Sequence, residues 1–393
     1  MIIKKGSYTM KITNLEIFFV KPRWAFLKVS TDEGIVGWGE PVLEGRTRTV
    51  WQAIEEFRPV LIGADPLRIE HLWQIMYRTT FYRGGPILMS CISGIEQALW
   101  DIKGKYYNMP VYEMLGGRVR DRIKMYAHIS TSHTQNEIEG LYECALERKE
   151  MGFTAIKTRP NGKKGPVHDV ENRAWFKSAV EFQTKLRETV GDEMDIAIDA
   201  HGCLTPNVSI QFARAIEDLH PMFLEEPCLP ENVDTLARIA SMTSVPIATG
   251  ERLFTKWGFR EVLEKQAAVV VQPDICHCGG IFEARKIASM AETYYANIAP
   301  HNPLGPISLA ACLQVDACSH NFIVQEHPWV KGNLQLGEGY LKNPFKVVGG
   351  CIDVPTGPGL GIEPDEEFIQ FNQYPGDWDT PRQYFEDGAI AQW

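Results

Sequence analysis

The chain has 393 residues, 44% of them hydrophobic and 23% charged, with a formal net charge of −10. That balance is ordinary for a soluble globular protein and argues against a nucleic-acid partner, which needs a basic face. It leaves an anionic substrate open, because a bound cation reverses the field locally. Nine scattered cysteines, with a lone C-x-C at Cys276 and Cys278, fit neither a disulfide framework nor a zinc site. No run approaches the roughly 18 apolar residues of a membrane span. The opening MIIKKGSYTMKIT lacks an apolar signal core, and Met10 is a candidate start preceded by an extension. A cytoplasmic protein with no membrane partner is expected.

From Met10 the text is strand-like: KITNLEIFFV, FLKVSTDEG and IVGWGEP, with Asp32-Glu33-Gly34 placed as a hairpin turn. Helical patterns follow at Thr49–Phe57 and Arg68–Tyr77, and in SGIEQALWDIKGK the residues Ile95, Ala98, Leu99 and Ile102 share one face. A block of strands followed by helices predicts an α+β domain over 10–117. Beyond it strands and helices alternate. Strands are expected at Ile123–His128, Ala155–Lys157, Ile196–Asp199, Met222–Glu225, Ile247–Thr249, Val269–Val271, Asn297–Ala299 and Phe322–Gln325. The helices between them include Gln135–Met151, Asn172–Val190, Pro206–Leu219 and Pro306–Ser319. Eight alternations predict a parallel barrel over 118–346. The Gly/Pro-rich tail, 347–393, reads as irregular and as packing back on the first domain.

Asp199, Glu225, Glu251, Asp274, His301 and Glu326 recur at intervals of 23 to 27 residues, each closing a short apolar run. One βα unit of a barrel takes about 30 residues, and barrel active sites collect side chains from the C-terminal strand ends. Asp199, Glu225 and Glu251 therefore converge at one mouth. Their hard oxygen atoms suit Mg²⁺, or Mn²⁺, over zinc. Of the adjacent Glu225 and Glu226, spacing selects Glu225 as the inward residue. Asp274 and His301 close adjacent strands, and a carboxylate on one imidazole nitrogen makes the other a general base. His201, two residues after Asp199, is a candidate fourth ligand, base or acid. Lys157 and Arg159 share one face of the second strand end. Glu326 faces the cluster from across the barrel, either donating to an oxyanion when protonated or holding a substrate hydroxyl when ionised. In the first domain, Pro22-Arg23-Trp24 and Phe81-Tyr82-Arg83-Gly84-Gly85-Pro86 are candidate lid loops, with Arg23, Trp24, Tyr82 and Arg83 as substrate contacts.

These stretches resemble the mandelate racemase group of the enolase superfamily, and within it most closely the D-galactonate dehydratases. The resemblance rests on RWAFLKVSTDEGIVGWGEPVLEGR, FYRGGPILMSCISGIEQALWDIKGK, FLEEP, ATGER, VQPD followed by CGGI, and APHNPLGPISLAACLQVD. It implies a modified (β/α)7β TIM-type barrel with an N-terminal α+β capping domain, and a symmetric homo-oligomer. It also implies one Mg²⁺ on Asp199, Glu225 and Glu251, with His301 and Asp274 as the base dyad. His201, in D-x-H, matches the acid that protonates a departing 3-hydroxyl, Glu326 the electrophilic or substrate-binding glutamate, and Lys157 the first lysine of K-x-K. Arg159 departs from the pattern, standing where racemases carry lysine and galactonate dehydratases asparagine, and 161–193 departs as well.

The expected reaction is loss of water from an aldonate, a small sugar acid, giving a 2-keto-3-deoxy acid. Racemisation or epimerisation at C2 would need a second base facing His301, and arginine stays protonated. A metal hydrolase would ordinarily carry an imidazole-rich cluster, and an aldolase using Lys157 would leave the three carboxylates unexplained. A silent binding protein would not need the full set of groups.

Overall fold

The computed structural model describes residues 9–129, 138–163, 173–327, 333–374 and 376–391. Three strands, β1 (Ile12–Val20), β2 (Trp24–Thr31) and β3 (Val36–Gly39), form an antiparallel sheet in the order β1-β2-β3. The turn expected at Asp32-Glu33-Gly34 joins β2 to β3, with Gly34 at φ +78 as a tight turn requires. Three helices follow: α1 (Thr47–Leu61), α2 (Ile69–Arg78) and α3 (Gly85–Tyr107). β3 lies directly on α3. A Cβ at Gly39 would collide with the carbonyl of Gly94, so only glycine permits that approach.

The second half is a closed parallel barrel. Its strands are β4 (Arg122–His128), β5 (Ala155–Thr158), β6 (Asp195–Asp199), β7 (Phe223–Glu225), β8 (Ile247–Thr249), β9 (Val270–Val271), β10 (Asn297–Ile298) and β11 (Gln325–His327). They pair in chain order, β11 returns to β4, and an Ile298–Phe322 bridge closes the ring. The eighth strand thus runs two residues past its predicted end, so Glu326 lies within it. The helix expected over Gln135–Met151 covers Glu139–Glu150, residues 135–137 lying outside the described residues. The one over Pro206–Leu219 breaks after Ala215 into a single 3-10 turn.

Eight side chains, one from each strand or its margin, fill the barrel centre: Tyr126, Ala155, Ala197, Phe223, Ala248, Val270, Ala299 and Val324. Side chains two apart on a strand share a face. His128, Lys157, Asp199, Glu225, His301 and Glu326 each stand two residues beyond one of these core positions. The strand period therefore aims all six into the same end of the barrel.

The tail, expected to be irregular, is partly regular. β12 (Cys351–Asp353) pairs antiparallel with β4, so the tail first joins the barrel. It then bridges to the first sheet at Val20–Gln373 and ends in a hairpin of Gln383–Tyr384 with Ile390–Ala391.

Candidate active site

Lys157 is the centre of the acidic cluster. Its Nζ lies 2.9 Å from Glu225, 3.1 Å from Asp199 and 3.3 Å from Glu326, at 3% side-chain exposure. A buried unpaired ammonium would cost several kcal/mol, so these contacts are required to keep it charged. Burial opposes that charge, but Asp199, Glu225 and Glu326 outweigh it and hold the Lys157 pKa well above its ordinary value. Glu326 accepts from the backbone N–H of Asn302 at 2.6 Å and contacts His128 Nε2 at 2.7 Å. Burial pushes its pKa up, yet Lys157, His301 and His128 prevail and hold it well below the carboxylate range. Of the two roles expected for Glu326, these contacts favour the ionised acceptor.

The Asp274 carboxylate accepts His301 Nδ1–H at 2.7 Å, leaving Nε2 towards the cluster, 3.3 Å from Glu251. Burial lowers the His301 pKa, and Glu251, Glu326 and Asp274 together raise it well above its ordinary value. His201, which also has a donor atom within 4.8 Å of Glu251, places Nε2 2.8 Å from Asp199. Its Nδ1 is 2.6 Å from Arg159. A guanidinium only donates, so this Nδ1 accepts and the ring proton is on Nε2. His201 and Glu226 both adopt positive φ, 49 and 38. Strain of this kind costs about 1–3 kcal/mol and collects at functional sites. Glu226, turned away from Glu225, forms a two-pronged pair with Arg252 at 3.0 and 2.6 Å.

Two family models cover most of the chain. Residues 18–116 match the mandelate racemase / muconate lactonizing enzyme N-terminal domain, and residues 141–368 the enolase C-terminal domain-like family. The chain belongs to the mandelate racemase/muconate lactonizing enzyme group of the enolase superfamily. It is similar over 96% of its length to all of the group member from Sulfitobacter sp., at 33% identity and a TM-score of 0.88. Two further structures carry the provisional description of dehydratase. The one from Mesorhizobium loti is 35% identical, with a TM-score of 0.86 and coverage of 93% of this chain and 99% of that one. The one from Zymomonas mobilis ZM4 is 32% identical, with a TM-score of 0.85 and coverage of 92% and 98%.

Members of the enolase superfamily generally bind Mg²⁺, and the donor set of this member suits a hard cation. Among the described residues, six carboxylates (Asp199, Glu225, Glu226, Glu251, Asp274 and Glu326) face only Lys157, Arg159 and Arg252 as permanent cations. Burial, with Asp199 adding to it, pushes the Glu225 carboxyl up to about 7, and Glu251 is raised well above its ordinary value. Buried Glu251 Oε2 accepts no hydrogen bond. Asp199, His201 and Glu251 place donor atoms within 4.8 Å of one another. Glu225 stands outside this tightest set; Lys157 donates to its Oε1 at 2.9 Å, and its buried Oε2 has no hydrogen-bond partner among the described residues.

The first-domain expectations need correction at Trp24. It is 2% exposed and packs on Phe26 and Tyr340, so it is a core side chain and not part of an exposed lid, and its Nε1 has no hydrogen-bond partner among the described residues. Arg23 pairs with Glu44 at 3.7 Å and lies over Trp378 of the tail. Tyr82, 85% exposed, touches Phe81, and Arg83 is exposed beside it. Sequence reasoning missed His128 and Arg252. His128 ends the first barrel strand, so the rule that selected the other strand ends already contained it.

Proposed function

We propose that this enolase-superfamily member is a hydro-lyase acting on an aldonate, a galactonate-like sugar acid, giving a 2-keto-3-deoxy acid. The observation that carries the reading is the placement of two imidazoles beside Glu251. His301 is backed by Asp274 at 2.7 Å, and His201 belongs to the compact donor group with Glu251 and Asp199. Elimination needs one group to take a proton and another to protonate the leaving hydroxyl. The resemblance of neighbouring structures described as dehydratases supports the same class.

His301 Nε2 takes the C2 proton, while Asp274 keeps the Nδ1 proton in place and stabilises the imidazolium. Lys157 is positioned to balance negative charge developing on the substrate. His201 gives a proton to the C3 hydroxyl as the C–O bond breaks. With a guanidinium against Nδ1 the ring carries one proton only, so Arg159 turns to the substrate when His201 acts as acid. Glu326 accepts a substrate hydroxyl. Asp199, Glu225 and Glu251 are the residues that would hold Mg²⁺ (or Mn²⁺), one per subunit, with His201 adjoining. When bound, the ion supplies stabilisation of charge on the substrate carboxylate. The enol left by loss of water tautomerises to the keto acid. The working form is a homo-oligomer in the cytoplasm.

The test is a screen of the purified protein with Mg²⁺ against stereoisomeric aldonates and aldarates, detecting 2-keto-3-deoxy acid. A product from galactonate supports the full reading. A product from another acid moves specificity to Arg159 and 161–193. Proton exchange at C2 without product, on every acid tested, would replace the dehydratase reading with an epimerase.

A further inference from the structure

The two barrel helices that follow the dyad residues are both capped from the other domain. Helix Pro306–Cys318 begins after the His301 loop, and its Gly305 and Ser308 N–H groups donate to Glu40 at 2.7 and 2.8 Å. Helix Ile281–Glu292 begins after the Asp274 loop, and its Ile281 and Phe282 N–H groups donate to Glu96 at 2.7 and 2.9 Å. A helix leaves its first N–H groups without intrahelical partners, and a carboxylate there is favoured by hydrogen bonding and by the helix dipole. Neither barrel helix has a side-chain cap of its own.

A third first-domain residue joins the two caps. Gln97 accepts the Glu40 N–H at 2.8 Å and donates to the Ile275 carbonyl, next to Asp274, at 3.2 Å. On the barrel side the Ser308 hydroxyl donates to Asn302 at 2.7 Å, and the Cys276 N–H donates to Asp274 at 2.7 Å. Glu40, Glu96 and Gln97 are at most 1% exposed. A Cβ on Gly305 would press on Glu40 Oε1 and on the Trp24 ring, so the cap and the loop fit without slack.

We propose that the first domain sets the geometry of the base dyad, with Glu40, Glu96 and Gln97 as positioning residues for His301 and Asp274. Each loop of the dyad is fixed at its helical end by a glutamate from outside the barrel, and Gln97 holds the two loops in one register. The catalytic consequence rests on the proposed reading of His301 and Asp274 as the base pair; the orientation of the two side chains does not.

The test uses full-length ¹⁵N-histidine-labelled protein with Mg²⁺, reading the ring ¹⁵N and ¹H shifts of His301, assigned by their absence in His301→Asn. Glu40→Gln sets an amide N–H against a backbone N–H, and Gln97→Ala removes the joint. Lys265→Met is the control, breaking a surface ion pair with Asp234 outside this network. We expect the His301 shifts to move in Glu40→Gln and Gln97→Ala but not in Lys265→Met, while surface His220 and His320 stay fixed. With D-galactonate as probe, kcat should fall about 10- to 100-fold in the two variants and KM should change little. If Glu40→Gln shows no cooperative melt, Gln97→Ala decides. Unchanged His301 shifts in a folded Gln97→Ala would overturn the proposal. An unmoved rate with no turnover of D-galactonate by the parent protein would count against the substrate reading alone, because the shifts answer separately.

Discussion

Arg159 Nη2 lies 2.6 Å from His201 Nδ1, so a residue that departs from the family pattern holds the imidazole expected to act as the acid. The contact fixes which ring nitrogen carries the proton and ties the His201 loop to β5.

Replacing Arg159 should therefore separate the two half-reactions. In Arg159→Met the guanidinium that turns to the substrate when His201 acts as acid is absent, and water loss should fall about 10- to 100-fold. Exchange of the C2 proton, which the proposed mechanism assigns to His301, should fall much less. Proton NMR of the sugar acid in D₂O, alongside product formation, reads both rates. A parallel fall in the two would show that Arg159 serves binding in general.

The histidines themselves make a sharper pair. His301→Asn should remove C2 exchange and water loss together, by about 10²- to 10⁴-fold. His201→Asn should keep part of the exchange while stopping elimination. If His201→Asn abolishes exchange as completely as His301→Asn does, the separate roles are wrong.

Metal binding can be checked without substrate. Mg²⁺ should raise the melting temperature of the chelator-treated protein, since a ligand at 100 times its Kd stabilises by about 2.7 kcal/mol. Glu251→Gln removes one charge of the compact donor group and should blunt that rise. An equal rise in the variant would place the ion elsewhere.

His327 gives a stability prediction independent of catalysis. Its ring stacks on Phe153, and Nδ1 is 2.7 Å from Gln335. Burial pushes its pKa down from 6.5 to about 4. Below about pH 6.5 the unfolded chain takes up a proton that the native chain excludes until about pH 4. The stability from keeping His327 neutral is fully present above that window and is lost as the pH falls through it. The whole effect is about 3 kcal/mol. Urea midpoints at pH 7 and pH 4.5 should drop less in His327→Gln than in the parent protein; equal drops would remove His327 as the cause.

The spacing of Asp199, Glu225, Glu251, Asp274, His301 and Glu326 was readable because each follows its own strand by a local rule. The strand period of two residues aims a side chain, and the length of a βα unit sets the next one. The pairing of Glu226 with Arg252 was partly visible in the choice of Glu225 as the inward residue. Trp24 misled because an aromatic beside a turn looks the same in sequence whether it lines a lid or fills a core.

The linear sequence by itself determined the barrel, its order of strands and the end at which its acids and imidazoles gather. These follow from periodicity and turn chemistry, which act over a few residues. Only the tertiary structure decided that His128 meets Glu326, that Arg159 meets His201, and that Glu40 caps a helix 265 residues further on. Such contacts join strand ends and loops that are distant in the chain. They exist because barrel closure and the packing of β3 on α3 bring those groups within hydrogen-bond reach, and no local pattern encodes that distance.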